Sequence, residues 1–137
     1  MPSSFSSRLV RNFERYGQLC VGIDPHSSLL LDWGLNDSVS GLREFSMRVL
    51  EATNGRVGII KPQVSFFERF GAKGFEVLED LASQASQTDL LVIMDAKRGD
   101  IGSTMLGYAQ AWFGDDSPLR SDALTLSPYL GPSSLDR

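Results

Sequence analysis

The sequence predicts an α/β fold of parallel βα units, and three observations carry that prediction. Four short segments are rich in apolar residues, QLCVGIDP (18–25), RVGIIKP (56–62), DLLVIMDAK (89–97) and DALTLSPYL (122–130). Their apolar residues run continuously rather than alternating with polar ones, as in strands covered on both faces. Between them lie stretches whose apolar residues recur at helical spacing, so strand and helix alternate along the chain.

The first helix is predicted over residues 4–16, where Phe5, Leu9, Val10 and Phe13 fall at helical intervals behind capping serines and Gly17 ends the pattern. QLCVGIDP then reads as a buried strand, because Asp24-Pro25 cannot continue a helix. From Val39 to Thr53 the residues Leu42, Phe45, Val49 and Leu50 share one helical face, with Asn36, Asp37 and Ser38 available as caps and Asn54-Gly55 as the stop. RVGIIKP is the second strand. Residues 65–86 are expected to form one helix with internal glycines, followed by the third strand, a shorter helix over about 103–113 and the fourth strand. The chain stops at GPSSLDR, where a further helix is expected to begin.

At 137 residues the chain fits one domain and is well short of the roughly 250 residues of a (β/α)8 barrel. Four βα units fit either a small doubly wound sheet or half of an eight-stranded barrel, and composition does not choose between them. Thirteen Lys and Arg against seventeen Asp and Glu give a net charge of −4 without a basic run, which argues against nucleic-acid binding. The single cysteine, Cys20, allows no disulfide framework or cysteine-based metal site within the chain and suits a reducing, cytoplasmic setting. Neither a signal peptide nor a membrane span is legible, so the expectation is a soluble protein without a membrane partner.

Chemistry-bearing residues gather where strands end. Asp24 closes GIDP, Lys61 sits in IIKP, and MDAKRGD places Asp95, Lys97, Arg98 and Asp100 within six positions. Side chains alternate along a strand, so Asp95 and Lys97 are expected to share a face with Leu91 and Ile93, opposite Val92, Met94 and Ala96. In barrels and in open α/β sheets alike, the carboxyl ends of strands border the site. Lysines and aspartates converging there would hold one another ionised and set a cationic acid beside a fixed anion, suiting chemistry in which carbon gains negative charge and is then protonated. A lone charge at a strand end is ordinarily solvated or half of an ion pair; three successive strand ends argue for a site. Arg98 should point away from its neighbours, toward a helix-facing salt bridge or a ligand.

Other candidates are weaker. His26 is the only histidine and no GxSxG elbow accompanies it, so it reads as a loop cap. GAKGFE lacks a nucleotide-binding fingerprint, and its glycines read as turn or packing positions. Phe66, Phe67 and Phe70 read as core, and no clustered carboxylates or histidines suggest a metal.

Four segments, VGIDPH, GIIKPQVSFFERFGAKG, VIMDAKRGDIGSTMLGYA and DALTLSPYLG, resemble in order and spacing the orotidine 5′-phosphate decarboxylase family, in its longer bacterial subgroup. The resemblance runs from about residue 5 to the last residue. Its most specific element is DxKxxDIxxT, filled here by Asp95, Lys97, Asp100, Ile101 and Thr104. It implies a (β/α)8 barrel that converts orotidine 5′-monophosphate to UMP and CO2 in pyrimidine biosynthesis, without metal or organic cofactor. It also implies a homodimer with shared active sites. Lys97 would protonate C6, Asp95 would face the substrate carboxylate, Lys61 would complete the charge array and bind the ribose, and Asp24 would take a ribose hydroxyl. Asp100, Ile101 and Thr104 would reach into the partner's site.

Length is the departure. The family grips the substrate phosphate with an arginine and backbone groups on loops of later strands, so the expectation is an N-terminal half barrel, truncated and weak or inactive by itself. Two rivals remain. One is an inactive half-barrel assembly module. The other is a metal-dependent sugar-phosphate enzyme such as a hexulose phosphate synthase, which uses a similar DxKxxD element but against which GIDPH and KPQVSFFE argue.

Overall fold

A computed structural model describes residues 4–136. Its elements are α1 (Phe5–Tyr16), β1 (Cys20–Ile23), α2 (Ser27–Asp32), α3 (Val39–Thr53), β2 (Ile59–Pro62), α4 (Ser65–Glu68), α5 (Ala72–Ala85), β3 (Leu91–Arg98), α6 (Gly102–Phe113) and β4 (Ala123–Leu126), followed by a 3-10 turn at Pro132–Leu135. The strands form one sheet in the order β1-β2-β3-β4, and every neighbouring pair is parallel. A doubly wound sheet reverses its strand order at a switch point, whereas a barrel is walked strand by strand. The observed order has no reversal, and the sheet has the topology of four consecutive strands of a (β/α)8 barrel.

Local chemistry explains most of the boundaries. The Ser4 side chain caps α1 by accepting from the Ser7 amide, and Gly17 ends it with φ +77°. Ser38 caps α3 in the same way through the Gly41 amide, and α3 has the bounds its periodicity predicts. His26 caps α2 with Nδ1, which accepts from the Leu29 amide at 3.2 Å. The sequence reading placed His26 as a cap but did not foresee the six-residue helix it caps.

Two expectations are corrected. The single helix expected over residues 65–86 is two, α4 and α5, parted at Arg69–Gly71. Gly71 takes φ +62°, which breaks the helical path, and the chain then folds back so tightly that a Cβ on Gly74 would lie 1.8 Å from the Phe67 carbonyl oxygen. The expectation that β1 is buried also fails, since only Ile23 of its four residues is buried and Cys20 is exposed. β4 is half-buried throughout. Both are edge strands of this sheet, and an edge has a neighbour on one side only.

One face of the sheet carries the core. Ile23, Ile60, Val92, Met94 and Ala96 pack with Leu42, Phe45 and Leu50 of α3 and Val77, Leu78 and Leu81 of α5. Phe67 belongs to this cluster, and Phe66 and Phe70 pack partly buried against it, so these rings are core as the sequence implied. By alternation the opposite face carries Cys20, Gly22, Ile59, Lys61, Leu91, Ile93 and Asp95. At the amino-terminal end of the strands the buried Asn12 of α1 donates its side-chain amide to the Gly58 carbonyl at 2.9 Å and the Asp89 carbonyl at 2.7 Å. One side chain thereby ties α1 to the segments entering β2 and β3.

Two substitutions separate these contributions. Asn12→Ala strips the buried Gly58 carbonyl and the partly buried Asp89 carbonyl of their donor and is expected to lower the unfolding free energy by about 1–3 kcal/mol. Leu31→Ala, at a side chain of α2 that is 62% exposed, should change it by less than about 0.5 kcal/mol. Urea midpoints of the two variants, measured side by side, check both values.

Candidate active site

The register of the parallel strands assembles the site. Gly22 pairs with Lys61 across β1 and β2, and Gln63, just beyond β2, bridges to Asp95 on β3. Lys61, Gln63 and Asp95 thus come together from residues 34 and 32 positions apart in sequence.

Asp95 is the centre. Its Oδ1 accepts from Lys97 Nζ at 2.6 Å and Thr125 Oγ1 at 2.8 Å, and its Oδ2 accepts from Lys61 Nζ at 2.9 Å and Gln63 Nε2 at 3.1 Å. A carboxylate offers about four acceptor positions, so this one is fully engaged and cannot rotate without breaking bonds. The Asp95 side chain is 11% exposed, against 32% for Lys61 and 62% for Lys97. Lys97 is therefore the cation most open to an incoming molecule.

The electrostatics follow from this geometry. Burial pushes the Asp95 carboxyl upward, but bonds from Lys97, Lys61 and Thr125 outweigh it and hold the group well below the usual carboxylate range. The bond to Asp95 raises the Lys61 ammonium above its ordinary value, opposed by partial desolvation and assisted by the charges of Asp95 and Asp24. At neutral pH the centre is an anion clamped between two cations.

Lys97 reaches Asp95 by a route that simple alternation did not predict. The pairing of β3 with β4 shifts register between Met94 and Arg98, and Lys97 adopts φ +51°, the left-handed region that a non-glycine residue enters at a cost. Its amide donates to Thr125 Oγ1 at 3.1 Å, while its ammonium turns back onto the Asp95 carboxylate. Arg98 takes the helix-facing course anticipated as one of its two options. It donates to the Ala96 carbonyl at 3.0 Å and to Glu68 of α4 at 2.7 Å, and its guanidinium carbon lies 5.8 Å from the centre of the Trp112 ring.

The other predicted residues lie around this centre without bonding to it. Asp24 is half-buried just past β1, folded over Gly22 so closely that a Cβ there would lie 2.8 Å from its carboxylate, and its charge is felt by Lys61. Asp100 accepts from the Ile101 amide at 2.7 Å within the loop leading to α6. Ile101 is 60% exposed and Thr104 is exposed on the first turn of α6, and among the described residues none of these three bonds to Lys61, Asp95 or Lys97. Gln63 and Thr125 were missed in the sequence. Their signal was a polar residue inside or directly beside an apolar strand, which a search for charges passes over.

A separate groove at the amino-terminal ends of β3 and β4, lined by Arg8, Ser86, Leu90, Val92, Arg120 and Asp122, lies at the other end of the sheet. Both of its arginines are paired within it or beside it, Arg8 with Asp122 at 2.6 Å and Arg120 with Asp115 at 2.9 Å.

The family model described as "Orotidine 5'-phosphate decarboxylase / HUMPS family" matches residues 17–137. The chain is 58% identical over 131 residues to an orotidine 5′-phosphate decarboxylase of Streptomyces coelicolor, covering 96% of this chain and 47% of that protein. It is 54% identical over 133 residues to one of Corynebacterium glutamicum, covering 97% of this chain and 48% of that protein. Among solved structures, a Streptomyces avermitilis protein described as an orotidine 5′-phosphate decarboxylase superposes with a TM-score of 0.95 at 58% identity, covering 97% of this chain and 47% of that one. The Leishmania donovani OMP decarboxylase superposes with a TM-score of 0.79 at 34% identity, covering 97% of this chain and 48% of that one. The chain spans about half the length of the relatives it matches, and with its strand order and its match over residues 17–137 it belongs to the orotidine 5′-phosphate decarboxylase / HUMPS family.

Proposed function

We propose that this chain carries the charge array of an orotidine 5′-phosphate decarboxylase, acting on orotidine 5′-monophosphate to give UMP and CO2. The observation that carries the reading is Asp95 bonded by both Lys61 and Lys97 at the carboxyl ends of β2 and β3. The names of the relatives supply the substrate.

In this reading the substrate's C6 carboxylate lies beside Asp95 with C6 next to Lys97. As the bond to the carboxylate carbon breaks and CO2 leaves, its electron pair remains on C6. The Lys97 ammonium stabilises that developing charge and delivers a proton to it, and the resulting amine is reprotonated from solvent. A cation fixed in place before reaction needs no reorganisation when charge appears, which makes preorganisation the larger contribution. Repulsion between Asp95 and the substrate carboxylate adds to it. Lys61 keeps Asp95 ionised and binds the ribose, and Asp24 takes a ribose hydroxyl.

Asp100, Ile101 and Thr104 serve the site of a second subunit in a homodimer. Their position on the β3–α6 loop and the start of α6, exposed and apart from their own array, supports this assignment. A cytoplasmic location accompanies the reading, and among the described residues no helix is long and apolar enough to cross a membrane.

Two measurements test the site. The purified chain, spanning about half of its relatives' length, is expected to turn orotidine 5′-monophosphate over weakly or not at all, and any fall in ultraviolet absorbance that the parent shows should slow by about 10³-fold or more in Lys97→Ala, whose circular dichroism stays unchanged. A variant that keeps most of its turnover would remove Lys97 from the role.

The second concerns pH. A carboxyl depressed by folding contributes stability that is present above its unfolded value of about 3.9 and lost as pH falls below it. Asp95→Asn is therefore expected to lower the unfolding free energy by about 1–3 kcal/mol at pH 7, with a smaller difference from the parent at pH 3. Urea titrations at the two pH values measure the narrowing, and an unchanged gap would show that Asp95 is not held ionised by its partners.

A further inference from the structure

We infer that Thr125 of β4 is a positioning residue for the array, fixing both the Asp95 carboxylate and the backbone of Lys97 through one hydroxyl. The inference rests on the decarboxylase reading for its kinetic meaning and on geometry for the rest. Thr125 Oγ1 lies 2.8 Å from Asp95 Oδ1 and 3.1 Å from the Lys97 amide nitrogen. An ionised carboxylate can only accept and an amide N–H can only donate, so the hydroxyl must give its single proton to Asp95 and receive the Lys97 N–H on a lone pair. Both ends are used, and the direction of each bond is fixed by its partner.

The placement gives these bonds their importance. Lys97 sits at φ +51°, and such a conformation persists only where its surroundings over-determine it. The register shift between Met94 and Arg98 removes regular ladder pairing at that point of β3, and the Thr125 hydroxyl supplies an acceptor there for the Lys97 amide. The same oxygen holds the carboxylate oxygen onto which the Lys97 ammonium folds, at 2.6 Å. One atom on the neighbouring strand thus anchors both the backbone of Lys97 and the carboxylate oxygen to which its ammonium bonds. Lys61 and Gln63 bond to the other carboxylate oxygen, and Gln63 Oε1 also accepts from Lys97 Nζ at 3.5 Å, but neither reaches Asp95 Oδ1 or the Lys97 amide, so neither replaces the hydroxyl.

The test uses Thr125→Val, nearly the same in shape but without the hydroxyl, Thr125→Ala as a second deletion, and Thr125→Ser, which keeps the oxygen. Kinetics with orotidine 5′-monophosphate should show kcat reduced by about 10–100-fold in the Val and Ala variants with KM changed by less than about threefold, and Ser restoring most of the loss. A structural role alone would not produce that split or that rescue. The backbone amide of Lys97 and the carboxyl carbon of Asp95, followed by NMR in the chain as it stands, should both shift in Val and Ala and return in Ser. A parent without turnover, as expected if half of its relatives' length does not suffice, leaves the two NMR signals to decide the positioning alone, whereas turnover that survives Lys97→Ala overturns the decarboxylase reading. Unmoved signals in both deletion variants, or moved signals with kcat intact in an active parent, overturn the inference.

Discussion

The organisation of this chain rests on one carboxylate. Asp95 accepts four hydrogen bonds, from Lys61 and Gln63 on the β2 side, from Thr125 on β4 and from Lys97 two residues along its own strand. It is the point at which three strands are joined by side chains as well as by backbone ladders. Removed from water, an unpaired carboxylate would take up a proton; bonded by two ammonium groups and two neutral donors it stays ionised, and its charge orients everything around it. The helices α3 and α5 do not touch this centre, yet their apolar faces hold the sheet whose register creates it.

The two ends of the sheet solve different problems. At the amino-terminal end a neutral amide, Asn12, satisfies two backbone carbonyls, a closure without net charge. At the carboxyl end the chain concentrates ions and leaves Lys97 largely open to solvent. The two ends therefore differ in what a substitution disturbs, a neutral hydrogen-bonded closure at one and a network of ions at the other.

Much of this was legible in the sequence because it follows from period and punctuation. Val39–Thr53 was readable from the spacing of Leu42, Phe45, Val49 and Leu50 and the cap before it. Asp24, Lys61, Asp95 and Lys97 were readable as polar residues closing apolar runs. What escaped depends on backbone conformation and cross-strand partners. The break between α4 and α5 comes from Gly71 at φ +62°, and the glycine was visible although its torsion angle was not. Gln63 and Thr125 matter because of what lies beside them in neighbouring strands, and that register is a property of the assembled sheet. The strand order, which separates a barrel from a doubly wound sheet, is equally invisible in composition.

Lys97 shows a tension built into the site. Its backbone lies where glycine would be most at ease, and its side chain is the ammonium that bonds Asp95. For stability alone glycine suits the position, and for the charge array lysine does. The two demands meet in a single residue, so a search among variants for greater stability would drift toward losing the amine and with it a cation bonded to Asp95.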